Sequence, residues 1–486
     1  MALLTLERSQ HSISRKNIPA VALRTLYRLR DAGFKAYLVG GCVRDLLLGK
    51  APKDFDISTN ARPEQVHRIF KNSRIIGRRF KIVHVVYGNE IIEVTTFRTD
   101  SADAIENSNG MIVRDNSYGT SIEDDAQRRD FTINAIYYDI DNFTLLDFHG
   151  GLYDLTHGII DIIGDPDKRY TEDPVRMIRA IRFKAKLGFK IAKRTEEPIR
   201  RLAPLLLNIS NARMFDEVNK LFLTGHGLQS YRELKRYNIL PLLFPGQDDF
   251  IGTPKYDSFM EYALTSSDQR TLLQKRNKPH FLYTVFLWSK IEMLVNDLTL
   301  HFQSSPQKPE QSRLVEEACQ QALDAQQTVT AIPQVIISDI KRLIHIVYQI
   351  TDDNLQASEI ENVAQKGLFR AAFDLIKLRA QFEPEIIPYV KFWQHYYDEA
   401  QERMVKLKAL QEEKRLKREE KRLSRREKSK QRKERKSSRR TLNLSQAQKA
   451  ELISAAQEQF DSDTAKERQE RLARARAWRA AMNLEP

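Results

Sequence analysis

Between residues 20 and about 165 the apolar positions switch repeatedly between helical and alternating spacing. Val21–Asp31 has the helical period, and Ala36–Val39 is a short apolar strand ending at Gly40-Gly41. Val43–Leu48 returns to helical spacing and stops at Gly49. Phe55 and Ile57 flank Asp56 in a second strand, and Pro63–Phe70 suits a helix with proline at its start. Ile82–Tyr87 and Ile91–Phe97 are β-branched and aromatic and read as paired strands around Gly88-Asn89. Polar Thr99–Asn109 predicts a loop, and Ile136–Ile140 with Thr144–Phe148 predicts a hairpin. This alternation gives an α/β or α+β domain over residues 20–165, preceded by an arm over 1–19.

From Asp173 the strand signals fade. Val175–Leu187, Glu196–Leu206, Phe215–Leu223, Gln229–Tyr237, Phe281–Val295, Gln311–Gln326, Val335–Gln349 and Leu368–Ala380 carry helical periodicity. The expected division is a helical neck over 166–250, a helical body over 251–400 and an extension over 401–486. Aromatic content falls after Asp398, where a run of charged helix formers begins. Leu442–Met482 holds a few periodic apolar positions and reads as helices or a conditionally folded tail.

Composition narrows the function. With 486 residues, 41% hydrophobic and 30% charged, the chain can bury several cores, so a wholly disordered protein is excluded. The two cysteines, Cys42 and Cys319, exclude a disulfide scaffold and a Cys-rich zinc domain and point to a reducing, cytoplasmic setting. No apolar stretch approaches the ~20 residues needed to span a bilayer, and no secretory signal is expected. Net charge is +14, of which residues 411–440 supply +10 from 16 Lys/Arg and 6 Glu. Such a tail favours a polyanionic partner: RNA, DNA or an anionic membrane.

The candidate chemistry begins at Asp54-Phe55-Asp56. In a strand, positions i and i+2 share a face, so two carboxylates converge while Phe55 points into the core. Carboxylates that close repel unless a cation lies between them, and hard oxygen ligands suit Mg²⁺, which commonly adds substrate phosphates to one or two carboxylates. Just upstream, Gly40-Gly41 joins a strand to a helix and exposes backbone N–H groups suited to phosphate oxygens, with Arg44 one turn inside to add a charged contact.

Gly40-Gly41-x-Val43-Arg44-Asp45-Leu46-Leu47-Leu48-Gly49 followed by Asp54-x-Asp56 resembles the signature of class II nucleotidyltransferases, which include CCA-adding tRNA nucleotidyltransferases and bacterial poly(A) polymerases. Three further blocks fall in the family's order: Arg128-Arg129-Asp130-Phe131-Thr132-Ile133-Asn134-Ala135, then Asp147 with Gly150-Gly151 and Asp154, then Glu172-Asp173-Pro174-Val175-Arg176-Met177-Ile178-Arg179-Ala180-Ile181-Arg182-Phe183. The resemblance implies a polymerase-β-like α+β head, an all-α body and a basic, partly disordered tail. It implies metal binding by Asp54 and Asp56, a third carboxylate at Glu93 and a further active-site carboxylate at Asp130. It assigns Gly40, Gly41, Arg44, Asp45, Arg128, Arg129 and Asn134 to the ribose and triphosphate side. Asp173 and Arg176 would read the nucleobase, with Arg179 and Arg182 following along one side of the same helix.

Other segments separate the two activities. Ile75-Ile76-Gly77-Arg78-Arg79-Phe80-Lys81-Ile82-Val83-His84-Val85 resembles the GRRFxxxHV element of the poly(A) polymerases. Gln10-His11-Ser12-Ile13-Ser14-Arg15-Lys16, Ala212–Glu217, Leu368–Asp374 and the basic extension also resemble that group. Two features depart from it: Cys42, where glycine is frequent, and Ile332–Gln349, which lacks the expected Trp and Arg. The implied activity is template-independent addition of AMP from ATP to RNA 3′ ends, with Mg²⁺ or Mn²⁺, by a cytoplasmic monomer that meets RNA-decay proteins or an RNA chaperone. CCA addition to tRNA is the alternative, and a non-catalytic RNA scaffold a more distant one.

Overall fold

A computed structural model describes residues 3–77, 81–99, 105–106, 111–114, 117–303, 309–442 and 450–451. The chain divides into two units, Met1–Asp398 and Glu399–Pro486. The first begins with β1 (Leu4–Leu6), α1 (Ala20–Asp31), β2 (Ala36–Val39), α2 (Gly41–Leu47), β3 (Asp56–Thr59) and α3 (Pro63–Ile69). Then come β4 (Ser73–Ile76), β5 (Ile82–Tyr87), β6 (Glu90–Thr96), β7 (Ile105–Glu106), β8 (Ile112–Arg114), α4 (Ile122–Arg128), β9 (Ile136–Asp139) and β10 (Leu145–Asp147).

Eight of these strands form one sheet in the order β1-β10-β9-β2-β3-β6-β5-β4. Neighbours are antiparallel except β3 and β6, which run parallel because α3 and the β4–β5 strands intervene between them. The sheet's central strands are apolar on both faces: the adjacent Leu38 and Val39, the adjacent Ile136 and Tyr137, and Ile57 and Val94 are all buried. The expected hairpins at Gly88-Asn89 and Asp141-Asn142 are present. One local expectation changes. β3 starts at Asp56, so Asp54 lies outside the strand and is exposed, while Phe55 is buried as its apolar side chain requires. Within the expected loop, Ile105–Glu106 forms a two-residue strand against β8; most of that loop, and Arg78–Phe80, lie outside the described residues.

The short motif at Asp147–Asp154 builds the joint between sheet and helices. Asp147 accepts from the backbone N–H groups of His149, Gly151 and Leu152, capping α5 (Gly151–His157). A Cβ on Gly151 would stand 2.2 Å from the Thr132 carbonyl oxygen, so only glycine allows that approach. Asp154 in turn accepts from the Thr132 hydroxyl at 2.6 Å.

Helices follow. β11 (Ile159–Ile160) and α6 (Pro166–Glu172) lead into α7 (Val175–Leu187), and β11 pairs with β12 (Lys190–Ile191), a contact between short segments too distant in sequence for local periodicity to register. α6 also escaped the periodicity reading, being only about two turns long, yet Asp165 caps it and Pro166 starts it. Beyond lie α8 (Lys193–Leu202), α9 (Asn211–Phe222), α10 (Gly227–Arg236), α11 (Leu240–Leu243), α12 (Pro254–Leu272) and α13 (Pro279–His301). α14 (Gln311–Gln327), α15 (Gln334–Ile350), α16 (Ala357–Gln365), α17 (Phe369–Arg379) and α18 (Ile387–Leu442) complete the order. α12 was not expected, although Tyr256, Phe259, Met260, Ala263 and Leu264 give it a buried stripe; its polar second half dilutes the pattern. Residues Leu282–Trp288 of α13 are buried on every side, and Phe222, Phe244 and Phe286 stack at 3.8–6.1 Å ring separation.

The second unit is described through residue 442 of α18 and at residues 450–451. Its Glu412–Arg415 pair at 2.7 Å and its Glu413–Lys417 pair have the helical spacing expected of a solvated charged helix. No helix among the described residues is long and apolar enough to cross a membrane.

Candidate active site

Sheet register gathers the acidic residues. Val39, the last residue of β2, lies opposite Asp56, and Asp56 lies beside Glu93 in the parallel β3–β6 pair. The chain leaves β2 through Gly40, whose φ of 79° and ψ of −138° are open to glycine alone, and enters α2 at Gly41. A Cβ on Gly40 would point between Asp56 Oδ2 at 3.7 Å and Arg129 Nη1 at 3.8 Å. Turn, carboxylate and guanidinium therefore share one small region.

Asp56 is pushed up to about 6. Burial is the largest cause, the neighbouring Glu93 charge adds to it, Arg129 opposes it, and Asp54 adds a smaller upward push. Glu93 is also 3.2 Å from His84 Nε2, its cross-strand neighbour on β5. Among the described residues no three His, Cys, Asp or Glu side chains are gathered closely enough to hold an ion by themselves. A mutually repelling set of carboxylates with too few ligands for a closed site fits a cation that takes its remaining ligands from substrate phosphates.

Several of the expected site residues are bonded to one another within the fold. Arg44 is 3% exposed and donates from Nε and Nη2 to Asp45 Oδ1 at 2.9 and 2.7 Å and from Nη1 to Asn134 Oδ1 at 2.6 Å. Three of its five N–H donors are thus spent within the fold, tying Arg44 to Asp45 and Asn134 at the start of the head's second helix. Asp130 is likewise committed. Its Oδ2 receives Arg179 Nε and Nη2 at 2.7 and 2.5 Å, and its Oδ1 receives the Phe131 N–H at 2.8 Å and Asn134 Nδ2 at 3.2 Å. Burial would raise this carboxyl, but the Arg179 charge and these donors hold it near 2. Its acceptor positions are thus taken by Arg179, Phe131 and Asn134.

The two residues expected at the nucleobase are each held by neighbouring groups. Asp173 accepts two bonds from Arg213 of α9, Nη1 at 2.8 Å and Nη2 at 2.9 Å. Arg176 donates to the Arg169 carbonyl at 2.7 Å and to Glu172 at 3.2 Å. Arg179 and Arg182 stand with Arg44 around the Phe183 ring at 4.9–5.4 Å, and Phe183 packs edge-on to Phe131, which ties α7 to the head. Burial and the nearby Arg179 charge bring Arg182 down to about 10, and its Nε has no hydrogen-bond partner among the described residues.

Four residues escaped the sequence reading. Arg213 stood inside the Ala212–Glu217 segment without a role. Arg169 donates Nη2 to the carbonyls of Arg128 and Arg129 at 2.9 and 2.6 Å, pinning the backbone of that block. Asp125 and Tyr137 hold the Arg129 side chain. Each acts across more than one element, a relation that spacing along the chain does not display.

Comparison with known proteins fits this arrangement. Residues 36–161 match the family model described as "Poly A polymerase head domain". Residues 188–251 match "Probable RNA and SrmB- binding site of polymerase A", and residues 307–440 match "Polymerase A arginine-rich C-terminus". The chain is 43% identical to a Salmonella typhi protein named poly(A) polymerase I over 391 residues, covering 77% of this chain and 81% of that one. A CCA-adding enzyme of Lactobacillus helveticus is 40% identical, but only over 211 residues, 43% of this chain and 52% of the relative. The crystal structure of a Bacillus stearothermophilus CCA-adding enzyme in complex with CTP aligns with a TM-score of 0.52 and 27% identity, covering 78% of this chain and 82% of that one. The shared head alone would not distinguish the two activities, but the long match through helical body and arginine-rich extension does: the chain belongs to the poly(A) polymerase family of nucleotidyltransferases.

Proposed function

We propose that this protein lengthens RNA 3′ ends with AMP drawn from ATP, without a template. The observation that carries the reading is the Asp56–Glu93 juxtaposition beside the Gly40 turn, where crowded carboxylates and the Arg129 guanidinium flank a backbone position open only to glycine. The RNA 3′-hydroxyl attacks the α-phosphorus of ATP in line; a new O–P bond forms as the bond to the bridging oxygen breaks, and pyrophosphate leaves with that electron pair. Asp54 and Asp56, with Glu93 beside them, would hold Mg²⁺ or Mn²⁺, which when bound lowers the pKa of the attacking hydroxyl and neutralises the triphosphate. Arg129 faces the triphosphate side, and the rigid Asp173–Arg213 pair offers a fixed donor and acceptor edge to the base. Residues 411–440 hold RNA through phosphate contacts, with little base reading.

The wider reading places the enzyme in RNA polyadenylation and decay, in the cytoplasm, as a monomer meeting RNA-decay proteins or an RNA chaperone. Its working parts are the head over 20–165, the neck over 166–250 and the RNA-binding body over 251–400. Purified protein, an unstructured RNA and each NTP separately with Mg²⁺ give the test. ATP is preferred and products lengthen with time and enzyme. A tRNA lacking CCA that gains C, C and A and then stops would overturn the reading in favour of CCA addition.

A further inference from the structure

We infer that Asp125 and Tyr137 are positioning residues that aim Arg129 at the β- and γ-phosphates of the nucleotide, an inference that rests on the polymerase reading above. Arg129 sits at the end of α4 with one fifth of its side chain exposed. Its Nε donates to the Tyr137 hydroxyl at 2.8 Å and its Nη2 to Asp125 Oδ2 at 3.1 Å. The Tyr137 hydroxyl donates onward to the same Asp125 oxygen at 2.7 Å, closing a ring of three. The guanidinium also lies 5.1 Å from the centre of the Tyr137 ring.

Asp125 is 5% exposed and is itself fixed from two more directions. Ser58 donates its hydroxyl to Oδ2 at 2.9 Å, and the Arg98 backbone N–H donates to Oδ1 at 3.2 Å. Ser58 stands two residues beyond Asp56 on β3, on the same face of that strand. The guanidinium is thus tied to the strand that carries the central carboxylate. Its backbone is held independently by Arg169.

This leaves one group uncommitted. Nη1 makes no hydrogen bond among the described residues, and it flanks the Gly40 turn opposite Asp56 Oδ2. A guanidinium with two nitrogens anchored and a third beside the Gly40 turn has lost its torsional freedom before substrate arrives. A charged donor fixed in this way recognises a polyanion with little ordering cost. The three nearest neighbours of a Cβ on Gly40 belong to Asp56, Arg129 and Asn134, not to Asp125 or Tyr137, so both act through Arg129.

The test measures binding of inorganic pyrophosphate, α,β-methylene-ATP and AMP to the full chain by calorimetry with Mg²⁺. Tyr137→Phe keeps the ring and removes one anchor. It weakens pyrophosphate and the ATP analogue about tenfold while AMP binding changes less than about twofold. Arg129→Gln weakens pyrophosphate further, and Tyr137→Phe adds nothing on that background. Asp125→Asn gives a larger effect of the same pattern; because it alters a buried carboxylate, Tyr137→Phe is the deciding variant. Equal weakening of AMP and pyrophosphate, unchanged pyrophosphate affinity, or an additive effect on Arg129→Gln would overturn the inference while leaving the polymerase reading intact. Wild-type protein that binds none of the three ligands would sink the polymerase reading itself, and this inference with it.

Discussion

Replacing Asp56 with Asn should make the metal-free protein more stable while destroying its activity. Asp56 titrates near 6 instead of 3.8 because it is buried and because Glu93 and Asp54 crowd it, with only partial relief from Arg129 and Arg179. The native state therefore holds this proton more tightly than the unfolded chain does. Its contribution to stability becomes less favourable as pH rises through 3.8 towards 6, and levels off above that. The raised pKa corresponds to a cost of roughly 3 kcal/mol at pH 8, of which roughly 1.6 kcal/mol is already present at pH 5. The substituted asparagine does not titrate. Relative to wild type, the variant should gain about 1.4 kcal/mol between pH 5 and pH 8, less whatever local relaxation absorbs. Urea unfolding in EDTA at the two pH values reads this difference directly. Added Mg²⁺ with ATP should stabilise wild type by mass action and leave Asp56→Asn nearly unmoved, while AMP incorporation by the variant falls at least about 100-fold. If the stability gap between wild type and Asp56→Asn does not change from pH 5 to pH 8, the carboxylate crowding read from β3 and β6 is wrong.

Asp130→Asn strips the charge from the partner of a half-buried guanidinium and should cost about 3 kcal/mol, seen as a lower unfolding midpoint. Because Asp130 is held near 2, wild type keeps this contribution above pH 3.8 and loses it only as pH falls through 2; a gap to the variant that closes between pH 7 and pH 5 would contradict the Asp130–Arg179 assignment. Arg213→Ala leaves Asp173 without its two-pronged partner, so the ratio of kcat/KM for ATP over CTP should fall about tenfold. Unaltered discrimination would remove the pair from base reading. A chain ending near residue 405 should adenylate short RNA at saturating concentration, bind RNA more weakly, and show a shallower salt dependence, since each lost phosphate contact removes about 0.7 from the slope. Unchanged affinity and slope would make residues 411–440 something other than an RNA-binding element.

What the sequence displayed, and what it hid, divides along a physical line. Local features were legible because they are written in neighbouring residues: the strand running into Gly40, the hairpin at Gly88-Asn89, the periodic stripe of Val175–Leu187. The carboxylates Asp54, Asp56 and Glu93 could be named from motifs, but that Asp56 and Glu93 lie side by side follows from the parallel β3–β6 pairing across more than thirty intervening positions. Arginines were the least legible. An Arg in a motif can face a phosphate, pair with a buried carboxylate or brace a backbone, and all three uses look alike in a sequence. Arg169 braces a backbone, Arg44 and Arg179 pair with carboxylates, and Arg129 pairs with Asp125 while keeping one nitrogen in reserve. Burial decides among these uses: a guanidinium removed from water must find partners for its donors, so every arginine drawn into the head and neck demands a carboxylate or carbonyl nearby. Asp45, Asp125, Asp130, Glu172 and Asp173 answer that demand. Acidic residues at this site thus fall into two populations, one neutralised by arginine within the fold and one, at Asp56 with Glu93 and Asp54, left in excess. Only the second lacks a direct arginine bond among the described residues, and under the proposed function that excess negative charge beside the Gly40 turn is where a metal-bound nucleotide would dock.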